Sequence, residues 1–372
     1  MPLRIGINAL YLIPGGVGGT EIYLRCLLAA LAEIDSNNHY VVFVNRETDE
    51  LLRPDRPNFC AVREPVQARF RPARILCEQL RLPLRAKRQA LNVLLNPGFT
   101  APLIAPCPNV TVFHDLQHKR HPEYFRWFDL PFWRIFLWIS AHRSRLILTP
   151  SEATRADFLR YYRTPPHRVR VTPEGVDPVF FQIGRRRRDR QPQPYLLCVS
   201  TLHPHKNLET LLRAFARLRR QRPELRLVLA GLQGFHTQAV TGLIGALNLV
   251  GAVRVTGWIP RTELYELFQD ALAFVYPSRF EGFGLPVLEA LAAGVPTACS
   301  RIRPLSDLAG DAALLFDPRS EDELWEALVR LVEDAGLRKR LSEAGPVHAA
   351  PYQWRRTAEL TLQALVEAAA GA

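Results

Sequence analysis

The sequence predicts an α/β protein of two Rossmann-like domains, each built on a parallel sheet, and three observations lead there. Short, nearly all-apolar runs alternate with helix-period segments along all 372 residues, the pattern of buried parallel strands joined by crossover helices. Glycine-bearing or polar loops follow several of those runs, at the strand ends where such sheets bind ligands. A polar, proline-bearing break, Asp189 to Pro194 after the run Arg185–Arg188, has the composition of an exposed linker and puts a boundary near residue 190. The expected domains are therefore residues 1–185 and 190–352, with 353–372 as a final helical segment.

Strands are predicted in the first domain at Arg4–Ala9, Tyr40–Val44, Val93–Leu95, Val110–Phe113 and Leu146–Thr149. The first is followed by a helix over about Glu21–Glu33, and the last by a helix over about Ser151–Tyr162 with Ser151 as its N-cap. In the second domain, strands are predicted at Tyr195–Val199, Leu225–Leu229, Val253–Thr256, Ala271–Tyr276 and Pro296–Ser300. Helices are expected at about Leu208–Arg219, with Asn207 as a cap, and at Arg261–Gln269, Leu285–Ala293 and Glu321–Glu333. A last helix runs over about Thr357–Ala370.

Composition narrows the class. A hydrophobic fraction of 48% is that of a globular protein, and the apolar stretch Phe128–Ile139 is interrupted by Asp129, Pro131 and Arg134, short of the roughly 18 residues a spanning helix requires. The N-terminus reads as a first strand, not a signal peptide. Six scattered cysteines without a CxxC pair read as reduced core residues of a cytoplasmic protein, not a disulfide framework or zinc site. The formal charge is +12. It is weighted to the first half, with 24 basic against 16 acidic residues through Phe180 and 24 against 20 beyond. Between Arg69 and Arg88 seven basic residues interleave with Phe70, Ile75, Leu76, Leu80, Leu82 and Leu84. This segment reads equally well as an element lying on an anionic membrane or as a solvated helix whose arginine stems cover apolar neighbours. The four consecutive arginines have no interleaved aromatics, so no nucleic-acid partner is expected.

Chemistry concentrates in Arg279–Pro296, RFEGFGLPVLEALAAGVP. The loop leaves the carboxyl end of a buried strand, Gly282 and Gly284 permit close backbone approach, and Pro286 suits the first turn of a helix that Gly294 stops. The N–H groups of Phe283, Gly284 and Leu285 then point into the crevice, an arrangement that favours a diphosphate. Glu281 in the loop and Glu289 one turn into the helix offer carboxylates to sugar and ribose hydroxyls. Elsewhere, PGGVGGT at Pro14–Thr20 joins the first strand to the first helix without matching the dinucleotide fingerprint, which disfavours a dehydrogenase. LCVSTLHPHKNL at Leu197–Leu208 brings His203, His205 and an isolated Lys206 to another strand end, where a compact positive charge suits a leaving diphosphate. VTVFHD at Val110–Asp115 ends a strand in His114 and Asp115, a pair placed for ligand contact or acid–base work.

The Arg279–Pro296 run resembles the E-x7-E signature of retaining glycosyltransferases of family 4, whose GT-B architecture pairs two Rossmann-like domains across a cleft. The resemblance implies that Glu281 contacts the transferred sugar and Glu289 the ribose. It implies further that His114 touches the sugar and that Gly18 and Gly19 approach the donor phosphate. Ser200, His205, Lys206, Ile259, Phe283, Gly284 and Leu285 complete the donor site, with Lys206 on the leaving diphosphate. His205 stands where the family carries an arginine, so the second fixed charge is not identified. The final helix is expected to cross back to the first domain. Implied, then, is a metal-independent transferase that moves a sugar from a UDP- or GDP-sugar, without cofactor, to a lipid-linked or envelope-polysaccharide acceptor, at the inner face of the cytoplasmic membrane. A catalytically inactive nucleotide-sugar-binding protein and a GT-B epimerase or phosphorylase are the alternatives.

Overall fold

A computed structural model describes residues 1–371 except Arg126, Phe128, Asp129, Asp189 and Phe235; the first two residues of the apolar stretch Phe128–Ile139 and the first of the expected linker thus lie outside the described residues. The chain forms two compact units, Met1–Gly175 together with Gln353–Ala372, and Val176–Tyr352.

Unit 1 holds seven strands: β1 (Arg4–Asn8), β2 (His39–Val44), β3 (Phe59–Arg63), β4 (Val93–Asn96), β5 (Asn109–Val112), β6 (Leu146–Thr149) and β7 (Val169–Val171). All neighbours are parallel, in the order β3-β2-β1-β4-β5-β6-β7. One face is covered by the helices Gly19–Ile34 and Trp354–Ala370, whose Leu24, Leu27, Leu31, Ala358, Leu365 and Ala368 join the buried strand residues in one core. Gly175 admits the final helix to this face, because a Cβ there would lie 2.1 Å from the Trp354 nitrogen.

Unit 2 holds β8 (Gln193–Val199), β9 (Arg226–Ala230), β10 (Val253–Gly257), β11 (Ala271–Tyr276), β12 (Thr297–Ser300) and β13 (Ala313–Phe316), parallel in the order β10-β9-β8-β11-β12-β13. In each sheet the chain works outward from a central strand and then returns to that strand's other side. The reversals fall between β1 and β4 and between β8 and β11. Such switch points open a crevice beyond the strands' carboxyl ends.

The sequence reading missed β3, β7 and β13, all three of them sheet edges. Edge strands are covered by fewer neighbours, so they carry a weaker apolar pattern; β3 is mostly exposed and β7 has three residues. The boundary near residue 190 is also corrected. Arg185–Arg187 form the last turn of the helix Pro178–Arg187, capped by Asp177, whose Oδ1 accepts from the Val179 N–H at 3.0 Å. Arg187 is anchored, donating to the carbonyls of Phe268 (2.9 Å), Gln269 (2.5 Å) and Ala271 (2.8 Å), which end the helix Arg261–Asp270. Burial pushes its guanidinium down to about 10. The units therefore divide at Gly175, ahead of this helix. The cysteines depart from expectation as well: Cys77, Cys198 and Cys299 are buried, Cys26 and Cys107 half-buried, and Cys60 exposed. Asn207 sits before its helix in the left-handed region without a side-chain cap, whereas Ser151 caps as expected, accepting from the Thr154 N–H at 3.1 Å.

One buried base sets a pH limit. His118 is 3% exposed beside Tyr162, with Nε2 2.7 Å from the hydroxyl, and burial pushes its pKa down to about 3. The unfolded chain binds this proton near pH 6.5 and the folded chain does not, so stability falls as pH drops from about 6.5 towards 3. In urea melts His118→Gln should flatten that decline relative to the parent chain, by up to about 4 kcal/mol at the acid end; parallel pH profiles would refute the assignment.

Candidate active site

In unit 2 the site grows from the β8/β11 switch point. The loop after β8 makes one 3₁₀ turn, Pro204–Lys206, and carries Lys206 back over the end of β11. Lys206 Nζ donates to the Tyr276 hydroxyl at 2.9 Å and to Glu281 Oε1 at 2.6 Å, with both charged side chains largely enclosed. Tyr276 is the last residue of β11, and burial first, then the Glu281 charge, raises its pKa well above 10, so it stays a neutral phenol. Three bonds fix the two loops to one another. The His205 carbonyl accepts from the Arg279 N–H at 2.7 Å and the Ser278 hydroxyl at 3.2 Å, while Asn207 Nδ2 donates to the Pro277 carbonyl at 3.1 Å.

Glu281 and Glu289 have different partners. Glu289, 4% exposed at its side chain, lies 2.9 Å from Arg261 Nη2. Arg261 also contacts the Tyr265 hydroxyl through Nε at 3.2 Å and lies 3.8 Å from Asp177. Burial works against the guanidinium's charge, but Glu289, Tyr265 and Asp177 outweigh it and hold the pKa above its ordinary value. Both carboxylates nevertheless act on the same hydroxyl, since Glu281 and Glu289 each raise the Tyr276 pKa. His205 is buried with its ring 5.8 Å from that of His203, which burial and the nearby Lys206 keep neutral.

The helix Leu285–Ala292 begins beside these charges. Gly284 adopts φ 110°, and a Cβ there would lie 2.3 Å from a Leu305 methyl, so a side chain at this position would be strained. Its carbonyl takes the N–H groups of Val287 and Leu288; among the described residues, those of Phe283, Gly284 and Leu285 donate to no protein acceptor. Three free donors at a helix start, next to Lys206, make an anion seat. Ser200 follows β8, its N–H bonded to the Ala230 carbonyl at 2.8 Å, and Ile259 is half-buried after β10, next to the exposed Trp258.

In unit 1, Gly18 caps the helix Gly19–Ile34 at φ 59°, and the space where Cβ atoms of Gly18 and Gly19 would stand is open. His114 follows β5, donating from Nε2 to the Pro97 carbonyl at 2.9 Å, with Nδ1 3.3 Å from Glu174 Oε1. Tyr23 and Phe99 meet its ring edge-on. The expected His114–Asp115 pair does not form a unit: Asp115 Oδ1 accepts from the Gln117 N–H at 2.9 Å, and Glu174 takes the place beside the imidazole. No group of three or more metal-ligating side chains occurs among the described residues.

Sequence reasoning missed Tyr276, Arg261 and Glu174. The first had a signal, a single phenol closing an otherwise apolar strand; Arg261 and Glu174 had none, because their partners lie 28 residues away (Glu289) and 60 residues away (His114).

Known proteins agree with this architecture. Residues 17–180 match the family described as Glycosyltransferase Family 4, and residues 182–348 match Glycosyl transferases group 1. The O-antigen chain mannosyltransferase B of Escherichia coli is 31% identical over 68% of this chain and 69% of its own length. The MMP alpha-(1->4)-mannosyltransferase of Mycolicibacterium hassiacum is 32% identical over 70% and 64%. A D-inositol 3-phosphate glycosyltransferase of Arthrobacter is 32% identical, the match spanning 59% of this chain and 55% of the relative. Among solved structures, a sucrose-phosphate synthase from Thermosynechococcus elongatus superposes over 100% of both chains with TM-score 0.80 at 19% identity. Anabaena Alr3699/HepE, solved with UDP and glucose, superposes over 98% of this chain and 99% of its own with TM-score 0.74 at 18% identity. Two parallel-sheet α/β units in this order define the GT-B class of glycosyltransferases. This chain belongs to glycosyltransferase family 4.

Removing Arg261 would strand a nearly buried carboxylate. Arg261→Ala should lower the unfolding free energy of unit 2 by about 3 kcal/mol, and adding Glu289→Gln should recover much of it. Equal urea midpoints for parent and single variant would show that the pair carries no such weight.

Proposed function

We propose that the chain is a retaining, metal-independent hexosyltransferase, using a UDP- or GDP-sugar and glycosylating a hydroxyl of a lipid-linked or envelope-polysaccharide acceptor. The observation that carries this reading is the Lys206–Tyr276–Glu281 cluster beside three unbonded N–H groups at a helix start. A departing nucleoside diphosphate gains negative charge as its bond to the sugar C1 breaks, and fixed donors in a water-poor site stabilise that gain. The new bond joins C1 to the acceptor oxygen, and the acceptor proton passes to the departing phosphate oxygen on the same face. Lys206, Gly284, Leu285 and Gly19 serve the diphosphate. Glu281 orients Lys206 and offers its second oxygen to the sugar, Glu289 serves the ribose, and Ser200, His205, Ile259, Phe283 and Gly18 line the donor. His114 serves the sugar, its ring orientation set by Pro97 and Glu174. Arg261, bound to Glu289, holds that carboxylate in place for the ribose.

Retention is what the E-x7-E resemblance implies; with Glu281 and Glu289 each ion-paired, the same-face transfer is written without a separate carboxylate nucleophile. Independence of metal is supported by Lys206, a cation already at the leaving group's seat. The mannosyltransferase names of two relatives favour mannose as the sugar.

Contact with an anionic membrane at the cytoplasmic face is supported by unit 1. Phe70, Leu76, Leu80 and Leu84 are exposed along the Arg69–Arg88 segment, and Ile104, Ile135 and Trp138 are exposed nearby. Arg71 stacks on Trp133, Gln79 bonds the Ala101 carbonyl, and Arg143 bonds the Leu103 carbonyl, so these elements adjoin. A wide apolar surface ringed by arginines is that of an interfacial anchor. No helix among the described residues is long and apolar enough to cross a membrane.

Donor hydrolysis across GDP-mannose, UDP-glucose and ADP-glucose tests the chemistry. Lys206→Ala should lower kcat by about 100-fold or more, Glu289→Ala should weaken donor binding, and EDTA should change neither. Donor bound without turnover by any acceptor or water would favour the inactive binder. For the membrane, Lys87→Glu with Arg88→Glu should release the chain from vesicles containing phosphatidylglycerol; unchanged flotation would defeat that part.

A further inference from the structure

We propose that Arg74 forms, in unit 1, a recognition site for an anionic group on the acceptor, a phosphate or a carboxylate. The inference rests on the transferase reading and names the chemistry of the acceptor.

Arg74 is 9% exposed, yet among the described residues its side chain makes neither a hydrogen bond nor an ion pair. Its Nε is wholly enclosed and unpartnered. Both terminal nitrogens also lack partners, and neither is fully enclosed, so they are the part of the fork that meets solvent. Burying a guanidinium without satisfying its donors costs a fold several hydrogen bonds' worth of stability. The nearest carboxylate does not relieve it. Glu78, 1% exposed, attracts Arg74 but spends its oxygens elsewhere, accepting from Thr100 Oγ1 at 2.9 Å, Asn8 Nδ2 at 3.3 Å and Gln79 Nε2 at 3.4 Å.

The place is that of a ligand. Asn8 ends β1 and Asn96 ends β4, and the two are bonded at 3.2 Å, so Glu78 and with it Arg74 stand over the switch point of the first sheet. Tyr11, whose burial keeps it a neutral phenol, bonds the Thr20 carbonyl through its hydroxyl in the first turn after the glycine loop. Tyr11 in turn packs where a Cβ on Gly98 would stand, 2.3 Å from its ring. A planar fork held this way takes a phosphate or carboxylate through two parallel bonds, which a lysine cannot reproduce. A counter-charge kept only to balance Glu78 would close to bonding distance, and Arg74 does not.

The test uses the full chain with UDP or GDP at saturation, so that the nucleotide seat of unit 2 is filled. Calorimetric titration compares glucose 6-phosphate, glucuronate and glucose. The parent chain should bind one anionic sugar about tenfold or more tighter than glucose, and whichever anion gains more identifies phosphate or carboxylate. Arg74→Gln should abolish the gap while leaving nucleotide affinity unchanged; Arg74→Lys should retain part of it, and Glu78→Gln should widen it. No preference in the parent, or a preference that survives Arg74→Gln, overturns the proposal. Should neither nucleotide bind, the donor reading falls, and the same titrations without nucleotide still decide Arg74. If Arg74→Gln melts early, Arg74→Lys carries the comparison.

Discussion

Everything at the β8/β11 switch point depends on holding one ammonium between a phenol and a carboxylate. Lys206 comes from the loop after β8, Tyr276 and Glu281 from the end of β11, and only the reversal of strand order brings those loops side by side. The same interaction explains why the surrounding backbone is so constrained. Asn207 adopts φ 57° and, instead of capping its helix, uses its amide on the Pro277 and Pro318 carbonyls, which ties the loops after β8, β11 and β13 together. A cap would have stabilised one helix locally; the cross-links fix the position of a cation relative to a carboxylate. Gly284 serves the same end, since its conformation sets the start of the helix beside that cation.

Much of this was legible in the sequence, and the reason is local. Strands with both faces covered are runs of Val, Leu, Ile and Phe, so the central ones were found, and the loops that leave them carry glycine, lysine and glutamate at recognisable spacing. Three edge strands were not found, because a strand with one neighbour needs less apolar surface. The run Arg185–Arg188 read as linker, although Arg187 caps the end of a helix 81 and 82 residues onward, at Phe268 and Gln269. A cation's partner at long range leaves no trace in composition. The same holds for Glu174 beside His114: Asp115 was adjacent in sequence and therefore expected, but the strand end turns it toward the Gln117 N–H.

The His114 ring adds a constraint of its own. The Pro97 carbonyl accepts from Nε2, and Glu174 presents an acceptor to Nδ1, so the ring donates through both nitrogens only when it carries a proton on each. Packed edge-on against Tyr23 and Phe99, it cannot reorient without disturbing the core. It is accordingly a group held in place by unit 1.

Charge is distributed differently in the two units. In unit 2 three enclosed cations have partners, Lys206 in Glu281, Arg261 in Glu289 and Arg187 in three carbonyls, although Nε of Arg187 and Arg219 and Nη1 of Arg261 are buried without one. In unit 1, Arg81 and Arg85 are both matched to the fully buried Glu64, at 2.9 and 2.7 Å, while Arg74, deeper than either, is left without a bond. The helical segment that carries all three changes to a π-turn over Cys77–Arg81. That turn points Glu78 at the strand ends and keeps Arg74 just behind it, a local departure from α geometry of the kind concentrated at functional positions. A segment able to satisfy two arginines on one carboxylate had the means to satisfy the third. That it instead holds Arg74 unbonded over the carboxyl ends of β1 and β4 is the strongest reason to treat this residue as part of a binding surface and not of the core.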